Sequence, residues 1–125
     1  MVRIHIMTVP HSRQRYDTVG DWWHVDETLT VVVSELGDWK KEFCVALHET
    51  VEAKLCRASG ISEEIVDKWD RDWQKNHPDN NVEPGDDPAC PYHVQHKQAT
   101  QIERLLAGYL GLDWDEYDRA VQAIA

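Results

Sequence analysis

No stretch of this sequence is both apolar and long enough to approach the ~20 residues of a membrane-spanning helix. Its opening, Met1-Val2-Arg3-Ile4-His5, lacks the apolar centre of a signal peptide. Cations are scarce: 13 Lys and Arg face 23 Asp and Glu, a formal net charge of -10. Phosphate-backbone binding needs clustered Lys and Arg, so neither nucleic acid nor a membrane is an expected partner. A cation, a basic partner or a small substrate suits the charge better. Cysteine is limited to Cys44, Cys56 and Cys90, with no CxxC pair for a thiolate zinc site. Cys44 and Cys56 fall on one predicted helix, about 18 Å apart and too far to bridge. Unpaired thiols predict a reducing, cytoplasmic setting.

The 125 residues, 42% of them hydrophobic, suffice for one domain over 1–125 with its own core. Val2 to Val9 alternates apolar and polar residues, which is strand patterning, and Pro10 ends it. Gly20-Asp21-Trp22-Trp23 reads as a break, with one Trp anchoring the next segment. Leu29 to Leu36, LTVVVSEL, is the strongest strand. Asp38 caps a helix from Trp39 to about Ser59, closed by Gly60. Ser62 caps a second, in which Ile65, Val66, Trp69 and Trp73 repeat at core spacing up to about Asn76. A polar loop over 77–91, rich in Asp, Asn, Gly and Pro, is long enough to be functional. A third helix spans Tyr92–Leu110, and a fourth, with Asp113 as N-cap, Trp114–Ile124. The expected fold class is α+β: a small antiparallel or mixed sheet of two or three strands packed on about four helices.

The chemistry concentrates on the first helix. At about 100° per residue, Cys44, Leu47, His48, Val51, Glu52 and Leu55 share one arc facing the core, with Glu49 at its margin. An imidazole and carboxylates there are costly to desolvate unless something pairs them. His48 and Glu52, one turn apart, can grip one metal while Glu49 handles a proton. The third helix aligns His96 with Ala99, Glu103, Leu106 and Leu110, His93 being offset by about 60°. Packed side by side, the two helices offer His48, Glu52 and His96 (or His93) to one metal, with Glu103 orienting His96. His5, His11, His24 and His77 are expected to be solvated or structural. Asp86-Asp87 and Cys90 are weaker candidate ligands.

The strand, the Gly-Asp turn and the helix WKKEFCVALHETVE resemble the heart of a minimal zincin metallopeptidase, including the ImmA/IrrE group. The chain also resembles short phage-encoded proteins with a His-Glu-x-x-Glu helix and a downstream P-G-D-D-P…P-Y-H-x-x-H segment. The zincin resemblance covers roughly Leu29 to Arg57. It implies a zinc-dependent hydrolase of phage type in the host cytoplasm, acting on a peptide or protein. His48 is then the first ligand, and Glu49 the base that activates a metal-bound water. The family's second His falls on Glu52, whose charge makes the metal a poorer Lewis acid. The resemblance also implies that Thr30 to Glu35 holds an extended peptide.

Two other readings stay open. Glu49-x-x-Glu52 followed by Glu64-x-x-Asp67 resembles the acidic helices of MazG-type nucleotide pyrophosphohydrolases, which implies magnesium on a triphosphate. Alternatively the metal knits two helices together in a non-catalytic phage accessory protein that binds a host factor.

Overall fold

Leu29 to Val33 is the most β-branched apolar run in the chain, and it becomes the centre of the sheet. The computed structural model describes residues 1–78 and 82–124. Strand β1 spans Ile4–Val9, β2 Gly20–Val25 and β3 Thr28–Ser34, in the order β1-β3-β2. β1 runs parallel to β3, with Ile4 opposite Leu29 and Val9 opposite Ser34. β2 runs antiparallel, with Gly20 opposite Val33 and Val25 opposite Thr28. Every residue of β3 from Leu29 to Ser34 is buried, so it is covered on both faces. The α+β class is as expected, with a mixed sheet of three strands.

Two expectations are corrected here. Gly20 to Trp23 is not a break but the first two-thirds of β2; its glycine lies where a helix side chain comes too close for a Cβ. Thr30 to Glu35 is closed to an added peptide strand, because β3 is paired on both edges.

The helices fall close to the expected limits: α1 Trp39–Ala58, α2 Glu63–Asn76, α3 His93–Tyr109 and α4 Trp114–Ile124. Asp38 accepts a hydrogen bond from Lys40 N, and Ser62 Oγ one from Ile65 N, as N-caps should. Helix α1 packs on β2 and β3 on one side and on α3 on the other. That double cover turns its buried arc away from the expected one. Val45, Ala46, Ala53 and Cys56 are buried, whereas Leu47, Val51 and Leu55 are half-exposed. His48 and Glu52 lie on both arcs and are buried either way. Of the loop over 77–91, positions 79–81 lie outside the described residues. Pro84–Asp86 forms a 3-10 turn, with Pro84 and Gly85 buried as a strap across the end of α3. No helix among the described residues is long and apolar enough to cross a membrane.

Leu29 is fully buried, so Leu29→Ala should lower the unfolding free energy by about 2–5 kcal/mol. Val25→Ala, at a side chain 55% exposed, should change it by less than about 0.5 kcal/mol. Urea melts of both variants check the pair; similar losses would mean that the buried strand is not the centre of the core.

Candidate metal centre

Helix α1 supplies His48 and Glu52 one turn apart, and α3 supplies His96 and Glu103 two turns apart. The helices run antiparallel, so the later residue on one meets the earlier on the other. His48 Nε2 lies 3.1 Å from Glu52 Oε2 and 3.2 Å from His96 Nδ1, and His96 Nδ1 lies 2.8 Å from the same Glu52 oxygen. Ligands bound to zinc at about 2.0–2.1 Å stand about 3.3 Å apart on a tetrahedron. The three atoms are thus already close to one face of such a site, and all three residues are buried.

Each of these side chains is held from behind. The outer nitrogen of His48, Nδ1, donates to Glu103 Oε1 at 2.7 Å, and Tyr117 OH donates to Glu103 Oε2 at 2.5 Å. The outer nitrogen of His96, Nε2, donates to Asp86 Oδ1 at 3.0 Å. Trp22 Nε1 donates to the other oxygen of Glu52, Oε1, at 3.1 Å. A proton fixed on each outer nitrogen leaves each inner nitrogen for a cation. Glu83, Asp86 and His96 Nε2 form a second grouping. It competes with the first, because His96 would have to lose both ring protons to serve both.

Burial alone would lower the pKa of both imidazoles, but their carboxylate bonds outweigh it. His48, bonded to Glu103 and Glu52, is raised well above its usual value. His96, bonded to Asp86 and Glu52, is raised to about 10. Burial would raise Glu52, yet the bonds from His48 and His96 hold it well below the usual carboxylate range. Glu49 goes the other way, pushed well up by burial and then by the charge of Glu52. Among the described residues it has no hydrogen-bond partner.

Glu49 borders a cavity of about 30 Å³ that Glu52, His96, Gly20 and Gly85 also line, room for roughly one or two waters. A Cβ on Gly20 would lie 2.7 Å from Glu49 Cγ, and one on Gly85 would lie 2.5 Å from His96 Cγ. Two bare backbones thus press on the two side chains that flank the cavity. The strap over that cavity is itself tied down. Trp69 Nε1 donates to Pro84 O at 3.0 Å, Trp73 Nε1 to Asp87 Oδ2 at 3.1 Å, and His93 Nδ1 to Gly85 O at 2.9 Å. Larger clefts exist: one of about 80 Å³ is lined by His48, Glu83, Asp86, His96 and Glu103, and one of about 590 Å³ lies beside Met1, Trp22 and Arg57, away from both groupings.

Of the residues singled out in sequence, His48, Glu52 and His96 come together. His93 does not; three residues before His96, it points at the strap instead. Glu103 is an orienting carboxylate, but for His48 rather than His96, as the antiparallel packing requires. Cys90 is buried, its thiol pushed up to about 12 by burial, and it joins neither grouping. His11 bonds Ser34 and Asp17, His24 bonds Glu63, and His77 stacks on Trp73. Glu64 is exposed and Asp67 accepts from Arg15, so that acidic pair stands apart from the cluster. Sequence reasoning missed Trp22 and Tyr117, and it took Asp86 as a weaker ligand rather than as the carboxylate behind His96, ten residues further on. Compared with known proteins, the chain matches no family model, no curated sequence and no solved structure.

The raised histidines set a pH dependence for the metal-free protein. A group raised in the folded state stabilises it fully below the unfolded pKa, about 6.5 for His. That stabilisation is lost as pH climbs through the folded value, about 10 for His96. Stability should therefore fall between pH 6.5 and 10, and His96→Gln should flatten the decline. Denaturant midpoints that rise across this window would contradict the assignment.

Proposed function

We propose that this protein is a zinc-dependent hydrolase. His48 Nε2, Glu52 Oε2 and His96 Nδ1 hold the metal, and Glu49 acts as general base. One observation carries the reading: three inward atoms 2.8–3.2 Å apart, each of their residues braced on its far side by Glu103, Asp86 or Trp22. Two imidazoles in the set favour zinc over magnesium, which takes oxygen ligands. Bound there, zinc would polarise a substrate carbonyl and acidify a water. Glu49 borders a cavity with room for water; a cation there would favour its ionised form, in which it takes the proton from that water. A peptide bond is the substrate to try first. About 30 Å³ admits water but no peptide, so turnover requires the Pro84–Asp86 strap to lift.

That enclosure also favours a second reading, a structural metal that joins α1 to α3 without turnover. Elemental analysis and activity separate the two. The purified protein should hold one equivalent of zinc, and His48→Ala and His96→Ala should each lose it. Glu49→Gln should keep the metal and lower peptide hydrolysis by at least about 100-fold. No zinc uptake in the intact protein removes both readings. Zinc without hydrolysis, or hydrolysis indifferent to Glu49→Gln, removes the first.

A further inference from the structure

The two edges of the sheet are finished differently. Ser34 N donates to Val19 O, and Val19, Asp21, Trp23 and Val25 therefore turn their backbone groups towards β3. The groups of Gly20, Trp22 and His24 turn outward, and there side chains take them: Trp22 N donates to Asp21 Oδ1, and His24 N to Glu63 at 3.1 Å. That edge is closed. On the other side, Leu29 N donates to Arg3 O and Glu35 N to Val9 O, so the odd-numbered residues of β1 face β3. Ile4, Ile6 and Thr8 point their N–H and C=O groups outward. No side chain among the described residues caps any of them.

β1 is also uncovered on its faces. Cross-strand partners share a face, so Ile4 and Ile6, opposite Leu29 and Val31, lie on the side of the sheet that carries α1. Leu29 and Val31 are fully buried, whereas Ile4 is 37% and Ile6 44% exposed. Soluble proteins blunt such edges with Lys, Pro or a bulge; Ile4–Val9, IHIMTV, has none of these.

We propose that β1 pairs antiparallel with β1 of a second copy, about a two-fold axis through Ile6, to make a continuous six-stranded sheet. The register argues for self-pairing. With the axis normal to the sheet, residues whose numbers sum to 12 face one another, so Ile6 meets Ile6 and Ile4 meets Thr8 of the second copy. These are the residues whose backbone groups point outward, and the pairing satisfies all of them at once. Charge argues the same way. Copies of net charge -10 repel over most of their surface, but Ile4–Val9 carries no carboxylate and is exposed, so two copies can meet there. The register also sets Arg3 opposite Val9 of the second copy, at the strand end where that copy's Glu35 is bonded.

The full chain is tested by sedimentation velocity and by amide exchange at several concentrations. A two-chain mass is expected, with exchange at Ile4, Ile6 and Thr8 slowing as concentration rises, while His5, Met7 and Val9 are slow throughout. Ile6→Lys sets two like charges on the axis, and Ile6→Pro removes an outward N–H that β3 does not use. Both should sediment as single chains with unchanged circular dichroism; the lysine variant gives the answer if the proline variant misfolds. A single-chain mass for the parent protein up to about 100 μM, a dimer that persists in the folded lysine variant, or concentration-independent exchange at the three outward amides would overturn the proposal.

Discussion

A carboxylate that is only 5% exposed must find a partner for its charge, and the arrangement of this protein follows from how Glu52 finds its own. One oxygen accepts from the Trp22 indole on β2, the other from His48 on the same helix and His96 on α3. A single side chain thus ties sheet, central helix and third helix at one point. Both imidazoles must in turn be held, and Glu103 and Asp86 hold them from outside. Removing Glu52 would leave two buried nitrogens and an indole N–H without their acceptor, a larger loss than any one bond is worth.

Around this point the charge is one-sided. Glu49 and Glu83 are raised by burial, and Asp70, beside the Tyr92 hydroxyl, is pushed up to about 8 by the same cause. Arg15 is engaged elsewhere, by Asp21 and Asp67. Burial makes each of these carboxylates costly to ionise, and a cation entering beside them would lower that cost. The excess of acid across the sequence is, in this corner of the fold, a local property of the site.

Most of the framework was legible in the residues. β3 announced itself by Val31-Val32-Val33, and Asp38, Ser62 and Gly60 marked the helix limits. The cluster of His48, Glu52 and His96 was legible because these are expensive residues on faces that pack. What could not be read was what depends on two-sided cover. The buried arc of α1 rotated towards Val45, Ala46 and Ala53 because a sheet and a helix flank it, and one amphipathic stripe cannot report two neighbours. β2 was hidden because Gly20-Asp21 looks like a turn until Glu49 is placed against it. Trp22, Asp86 and Tyr117 act through neighbours 30, 10 and 14 residues away, and no local period encodes such a distance.

Gly20 and Gly85 have a bearing on how this chain can drift. Gly37, Gly60 and Gly111 sit at φ near 75° and have nothing close to an added Cβ, so Asn can replace them at modest cost. Gly20 and Gly85 lie outside that left-handed region, and a backbone survey would pass them as replaceable. Their constraint is spatial: one methyl at either position displaces Glu49 or the His96 ring. Tolerance to change at glycine should thus run opposite to the Ramachandran map, with the unstrained pair the less forgiving.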